Sequence, residues 1–225
     1  MNNDGIILVD KPAGMTSFGV VARVRRQLSA IAGKKIKVGH TGTLDPFATG
    51  LMIIVVGAAC KRAGEFSKLD KVYEATVTLG TKSSTGDPEG ELTKMNDTKP
   101  SNGEVEAALR LFTGEIEQTP PIFSAIKIDG QRAYKLARKG ETVEMPTRKV
   151  MIYSLELLEY RYPEVKIRTH VSSGTYIRTL AEDLGKELAV GAYCSQLRRT
   201  RIGVYDITEV TADLGEITQR DIESL

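Results

Sequence analysis

The chain has 225 residues, of which 41% are hydrophobic and 27% are charged, and its formal net charge is +2. These values predict an ordinary soluble globular protein with one large domain or two small ones. No apolar run reaches 18 residues, and the N-terminus shows no basic region followed by an apolar stretch, so the sequence predicts neither a membrane-spanning helix nor a secretory signal.

The first elements are a strand, a helix and a second strand. Residues 5–10 predict a short strand that ends in a turn at residues 11–14. Ser17 can cap a helix that runs to about Leu28, because apolar residues recur there at helical spacing. Residues 51–56 form a continuous apolar run, which is typical of a buried strand.

The segment 39–50 precedes that buried strand and reads GHTGTLDPFATG. Its glycines indicate a sharply bent loop. The loop holds one carboxylate, Asp45, and Pro46 biases Asp45 toward an extended conformation. A carboxylate on a rigid loop suits a reactive group, but an Asp before Pro is also a common turn former.

The sequence of residues 58–104 predicts a helix, a strand and then the start of a second helix. Residues 58–69 look helical, and residues 72–79 alternate between apolar and polar side chains. Tyr73 begins the core-facing row of this strand, where a plain core tyrosine is the ordinary outcome. Residues 80–100 are polar and rich in turn formers, and residues 101–104 have the form of a capping box that opens a helix.

The later part of the chain mixes strands and helices without a regular alternation. Residues 118–147 contain a Pro-Pro pair and several basic residues, and they predict an excursion from the main sheet. Residues 149–160 and 165–171 predict strands, and residues 195–210 predict a final strand region. The order of elements favours an α+β fold around a mostly antiparallel sheet.

A helix is predicted from about Thr175, with a clear apolar face. Tyr176 and Arg178 lie in its first turn and off that face. An arginine in the first turn opposes the helix dipole, so a negative group is expected beside Arg178. A phosphate contact or a surface salt bridge would also account for this arginine.

Basic residues gather in several clusters. The first 205 residues carry 30 basic and 23 acidic residues. The clusters comprise Arg23, Arg25, Arg26, Lys34, Lys35, Lys37, Lys61, Arg62, Lys68, Lys71, Arg198, Arg199 and Arg201. They could form a phosphate-binding surface, or they could belong to ordinary solvated faces.

Several of these segments resemble motifs of one family, the TruB-type bacterial tRNA pseudouridine-55 synthases. The segment 39–50 is similar to the catalytic loop of that family, and Tyr73 matches its active-site tyrosine. The other matching segments are 5–17, 118–127, 173–180 and 197–199. The resemblance covers nearly all of residues 5–205, in order.

The resemblance implies an α+β pseudouridine synthase fold, with a mixed, mostly antiparallel central sheet flanked by helices. It implies one catalytic domain over residues 1–225, with residues 118–147 as an inserted thumb that grips RNA. Bacterial members usually continue into a C-terminal RNA-binding PUA domain. The sequence therefore suggests a short form without that domain.

The resemblance also implies an activity, the isomerisation of the uridine at position 55 in the T-loop of tRNA. Asp45 is then the nucleophile, and Arg178 holds its carboxylate charged and oriented. A flipped-out base needs an aromatic surface, so Tyr73 stacks on it, removes a proton from it, or does both. The substrate-binding residues implied are His40, Tyr73, Tyr176 and Leu197, with His40 as an exposed wedge.

The expected partner is the T-stem-loop of tRNA. No cofactor or metal is expected, nor DNA, a membrane, a guide RNA or a partner protein, and the default is a cytoplasmic monomer. Two alternatives use the same fold, namely an RNA-guided pseudouridine synthase and a tRNA-folding chaperone. A third alternative is a binding module without chemistry, in which loss of the Asp45 carboxylate would have no effect.

Overall fold

The computed structural model describes residues 4–124, 126–128, 130–138 and 144–224. The predicted thumb lies only in part within these ranges, since residues 125, 129 and 139–143 fall outside them. The chain forms two compact units. Unit 1 comprises Met1–Tyr73 and Arg198–Leu225, and unit 2 comprises Glu74–Leu197.

Most regular structure consists of strands. They are β1 (Gly5–Lys11), β2 (Val38–His40), β3 (Thr49–Val56), β4 (Lys71–Leu79), β5 (Thr81–Ser83), β6 (Leu92–Lys94), β7 (Gly114–Gln118), β8 (Lys127–Ile128), β9 (Gln131–Arg132), β10 (Arg148–Arg161), β11 (Glu164–Val171), β12 (Ala192–Ile202) and β13 (Tyr205–Asp206). The α-helices are α1 (Ser17–Ala32), α2 (Ala63–Ser67), α3 (Asn102–Leu111), α4 (Ala133–Arg138) and α5 (Ile177–Glu187). None of the helices in the described ranges is long and apolar enough to cross a membrane.

Unit 1 is built around β3, whose residues 50–56 are all buried. Strand β1 pairs antiparallel with β3 along its whole length, from Gly5↔Val56 to Lys11↔Gly50. Strand β2 pairs antiparallel with the end of β3, and β12 pairs with its start in parallel, Arg198 lying opposite Thr49. Strand β3 is paired on both edges and buried on both faces. This environment explains why its sequence is a continuous apolar run.

Helix α1 packs the face that its periodicity predicts. Val20, Val21, Val24 and Leu28 are buried. The predicted cap is wrong by one residue, because the Thr16 side chain, not that of Ser17, accepts the bond from the Gly19 N–H. The helix also runs one turn further than predicted, to Ala32, and ends at Gly33 in the left-handed region.

The C-terminal segment folds back onto unit 1. The Gln27 amide donates to Leu214 O at 3.0 Å and accepts from Ile217 N at 2.6 Å. Further on, Ile6 and Glu223 exchange backbone hydrogen bonds of 2.9 and 2.8 Å. A side chain on Gly5 would meet Glu223 O at 2.1 Å, so this close approach requires glycine at position 5.

Unit 2 carries the long hairpin of β10 and β11, which pair antiparallel from Ile152↔Val171 to Arg161↔Glu164. The other edge of β10 pairs antiparallel with β7. The predicted capping box is confirmed, since Ser101 and Glu104 exchange both bonds at the start of α3. The strand pairs described are largely antiparallel, so the α+β expectation is confirmed.

Candidate active site

The loop that contains Asp45 joins β2 to β3 in unit 1. Asp45 is half-buried. Its carbonyl accepts from Ala48 N at 3.1 Å, which closes a turn with Pro46 at the second position. Proline favours that position because its φ is already set. The turn reading of this segment is therefore correct, and it is compatible with a reactive carboxylate held still.

Two buried side chains of the N-terminal segment hold this loop. Ser17 Oγ donates to Leu44 O at 2.9 Å and accepts from Leu44 N at 2.8 Å. This double contact explains why Ser17 does not cap its own helix. Lys11 is fully buried, and its ammonium donates to Pro46 O at 3.1 Å and to two carbonyls of its own turn.

A third buried donor comes from β12. Arg199 is 1% exposed, and its guanidinium donates to Leu51 O at 2.7 Å, Gly42 O at 3.4 Å and Thr43 O at 3.5 Å. Gly50 lies against its backbone with φ of 110°, and a side chain there would meet Arg199 O at 2.3 Å. The prediction that Arg199 could belong to a phosphate-binding surface is wrong, because its guanidinium is buried and bonded to backbone carbonyls.

The same prediction was made for Lys71, which is also buried. Its ammonium donates to Ser67 O at 2.8 Å and to Leu69 O. Burial, and next the positive charge of Arg199, lower the pKa of Lys71 from 10.5 to about 8. Unit 1 therefore encloses an ammonium that loses its proton at mildly alkaline pH.

The pKa of Lys71 predicts how stability depends on pH. From about pH 8 to about pH 10.5 the unfolded chain binds more protons than the folded chain, so the free energy of unfolding rises with pH over this interval. We expect the wild type to gain at most about 3 kcal/mol relative to Lys71→Met. Urea unfolding across this pH range measures the difference. Lys68→Met, at an exposed lysine, is the control, and a Lys71 difference as flat as that of Lys68 would contradict the assignment.

The other two predicted residues of unit 1 lie on strands. Tyr73 is 8% exposed and lies in the buried row of β4, as its periodicity predicts, but that row begins two residues earlier, at Lys71. His40 ends β2, where its backbone pairs with Ile54. His40 is half-buried, so the expectation of an exposed wedge is only partly met.

In unit 2 two of the three predicted residues, Tyr176 and Arg178, lie at the start of α5. Tyr176 occupies the N-cap position, and the Arg148 guanidinium lies over its ring, 4.9 Å from the centroid. The carboxamide of the fully buried Gln118 donates to Tyr176 O at 3.0 Å and accepts from Tyr176 N at 2.8 Å. Leu197, also predicted, is buried on β12.

Arg178 is buried, with 3% of its surface exposed. Its Nη1 donates to Asp87 Oδ2 at 3.1 Å and to Thr85 O at 2.8 Å, and its Nη2 donates to Phe123 O at 2.8 Å. A negative group beside Arg178 was expected from the helix dipole, and Asp87 fulfils that expectation. The pairing of Arg178 with Asp45 stays a prediction.

Asp87 was not identified from the sequence. It is 5% exposed, and its Oδ1 accepts from Thr85 Oγ1 at 2.5 Å and from Glu89 N at 3.0 Å. These bonds hold its carboxylate toward Arg178. The signal was present, because Asp87 precedes Pro88 just as Asp45 precedes Pro46, but it lay in a segment that looked like an ordinary polar turn.

Comparison with protein families gives two adjacent matches. Residues 26–177 match the family described as TruB family pseudouridylate synthase (N terminal domain). Residues 178–220 match the tRNA pseudouridylate synthase B C-terminal domain. The two matches together extend over most of the chain.

Individual relatives agree with this result. A tRNA pseudouridine synthase B of Thermobifida fusca is 46% identical over 223 residues, which cover 95% of this chain and 74% of that protein. A protein of the same name from Phocaeicola vulgatus is 47% identical over 225 residues, which cover 98% and 96%.

Among solved structures, the crystal structure of a Cbf5-Nop10-Gar1 complex contains a similar chain. It aligns with a TM-score of 0.69 and 30% identity over 91% of this chain. This chain spans about half the length of that one, with 50% covered.

Proposed function

The chain belongs to the TruB family of pseudouridylate synthases, and from this premise we propose that it isomerises uridine 55 in the T-loop of tRNA to pseudouridine. The family match, the similar proteins and the fold all agree with the family motifs found in the sequence. The observation that carries the proposal is the Asp45 loop, whose backbone is held by Ser17, Lys11 and Arg199. A group that attacks one atom of a bound nucleotide must be held still, and buried side chains hold this loop.

In the proposed reaction Asp45 attacks the ribose as the C1′–N1 bond breaks. The detached uracil leaves with the electron pair of the broken bond and turns in place. Its C5 then bonds to C1′ while the bond between C1′ and the Asp45 carboxylate breaks, which regenerates the free carboxylate. The proton on C5 leaves, and N1 ends protonated, so the product is an isomer of the substrate. One carboxylate suffices, because the base itself is the acceptor and no water attacks.

We propose that Arg178 orients the Asp45 carboxylate. A guanidinium is planar, stays charged and carries five N–H donors, so it can serve two carboxylates together. Its described bond to Asp87 fixes where the group lies in unit 2. Asp87 then supports the chemistry by holding Arg178 in place.

The remaining predicted residues serve the base and the RNA around it. The target base cannot react inside a folded stem-loop, so it must flip out. We propose that Tyr73 stacks on the flipped uracil, with Tyr176 and Leu197 lining its pocket, and that His40 contacts the RNA where the base departed. Aromatic stacking of this kind is worth about 1–3 kcal/mol per base.

Two substitutions separate the possible roles of Tyr73. If the ring only stacks, Tyr73→Phe keeps the rate of pseudouridine formation, while Tyr73→Leu loses it. If the hydroxyl also removes a proton, Tyr73→Phe loses activity as well, by about 10²–10⁴-fold, and still binds RNA. The measurement is a single-turnover rate beside a filter-binding Kd. A Leu variant with wild-type rate and affinity would remove Tyr73 from the site.

We further propose that the protein acts in the cytoplasm on tRNA as a monomer, without a guide RNA or a partner protein. The similarity to the chain in the Cbf5-Nop10-Gar1 complex keeps an RNA-guided enzyme as the alternative. A bare T-stem-loop RNA discriminates between them, because a guided enzyme would leave it unmodified.

The decisive experiment incubates the purified protein with unmodified tRNA and maps pseudouridine by chemical labelling. We expect one modified position, in the T-loop. A tRNA with cytidine at that position is the control and stays unmodified. Absence of pseudouridine from the wild-type reaction would refute the proposed function.

A further inference from the structure

Gln118 lies at the junction between β7 and the predicted thumb. It is the last residue of β7, its backbone pairs with Arg148 of β10, and its side chain is fully buried. Burying a carboxamide is costly unless its polar atoms are bonded. Gln118 directs its amide oxygen and its amide nitrogen at a single residue, Tyr176.

This contact holds the start of a helix that has no side-chain cap. Tyr176 is the N-cap of α5, its side chain makes no capping bond, and the first turn holds no acidic residue. A helix start that lacks a capping side chain is less stable, typically by about 0.5–2 kcal/mol. Gln118 fixes it from outside, because it binds both the N–H and the C=O of the residue where the helix begins.

Two more contacts join the same turn of α5 to the same stretch of chain. Thr179 Oγ1 donates to Thr119 O at 3.4 Å, and Arg178 Nη2 donates to Phe123 O at 2.8 Å. The first turn of α5 is therefore bound to residues 118–123, which are the first six residues of the predicted thumb. A shift of that stretch would be transmitted directly to Arg178.

We propose that Gln118 is a positioning residue for the reaction. It holds Tyr176 and the start of α5 in the position that Arg178 needs, and it couples that position to the first residues of the predicted thumb. Gripping RNA and aligning the catalytic arginine then become one event. This inference rests on the proposed function, because it assigns Gln118 a part in that chemistry.

The test compares two glutamines that make the same kind of clamp. Gln118→Met removes both bonds to Tyr176 and keeps the length of the side chain. Gln27→Met does the same to the clamp on the C-terminal segment in unit 1. Each protein is assayed for thermal stability, Kd for T-stem-loop RNA, and single-turnover rate at saturating RNA.

We expect both variants to lose stability, because each loses a two-bond contact. Only Gln118→Met should lose rate, by about 10- to 100-fold, since small displacements of catalytic groups have effects of this size. Its Kd should stay within a few fold of wild type. Gln118→Glu, which keeps an acceptor for the Tyr176 N–H, should recover part of the rate.

The inference fails if Gln118→Met, at equal folded fraction, turns over as fast as Gln27→Met. If Gln118→Met does not fold, Gln118→Glu decides, and a wild-type rate in that variant would overturn the inference. Failure of the proposed function has a different signature, because the wild-type protein itself would then make no pseudouridine.

Discussion

Asp45→Asn abolishes pseudouridine formation, with a rate at least about 10³-fold below wild type, and leaves the Kd for T-stem-loop RNA within a few fold. Asparagine has almost the same shape as aspartate, so the turn closed by Asp45 O and Ala48 N is preserved. Only the charge and the nucleophilic oxygen are lost. A single-turnover assay with chemical mapping of the product measures the rate, and filter binding measures the Kd.

Asp213→Asn is the matched control for this experiment. Asp213 is exposed, and its carboxylate accepts from Gly215 N at 2.7 Å within the C-terminal segment. Its variant should react at the wild-type rate. Wild-type turnover in Asp45→Asn would remove Asp45 from the chemistry. A tRNA-folding chaperone would keep its folding activity in Asp45→Asn, so an assay of tRNA refolding separates that function from catalysis.

Asp87→Ala destabilises the protein by about 3–5 kcal/mol and also slows the reaction. The side chains of Asp87 and Arg178 are only 7% and 4% exposed. Removal of the Asp87 carboxylate therefore leaves the positive charge of Arg178 in a poorly solvated environment without this counter-charge. The guanidinium also loses one of the bonds that set its position. Urea unfolding measures the stability, and the single-turnover rate measures the second effect.

Asp10→Ala is a suitable comparison, because it breaks another Asp–Arg ion pair that is more exposed to solvent. Asp10 pairs with Arg198 at 2.7 Å, and both side chains are about two-fifths exposed. Such a pair contributes about 1 kcal/mol or less. Equal losses in the two variants would show that burial adds nothing to the Asp87–Arg178 pair.

The sequence predicts those parts of this molecule that depend on neighbours along the chain. The alternation in β4, the apolar run of β3 and the capping box at Ser101 each depend on residues a few positions apart, and each was confirmed. The resemblance to a family added the residues of the candidate site, which no periodicity could identify.

The parts that escaped prediction depend on residues far apart in the chain. Asp87 and Arg178 are separated by 91 positions, and nothing local marks them as partners. Arg199 lies in the sequence near Arg198 and Arg201, which are half-buried, yet it is fully buried because the carbonyls of a distant loop accept its bonds. Charged residues are expected at the surface, so a buried cation with backbone partners is the kind of residue that composition assigns wrongly.

The return of the C-terminal segment to Ile6 affects how the protein behaves in concentrated solution. Strand β1 is the outermost strand in its sheet, and an uncovered outer strand offers amides and carbonyls to any other chain. The bonds between Ile6 and Glu223 occupy that position within the same molecule. At Ile6 the outer strand is therefore already paired and does not offer these groups to another chain, and the absence of a side chain at Gly5 makes this pairing possible.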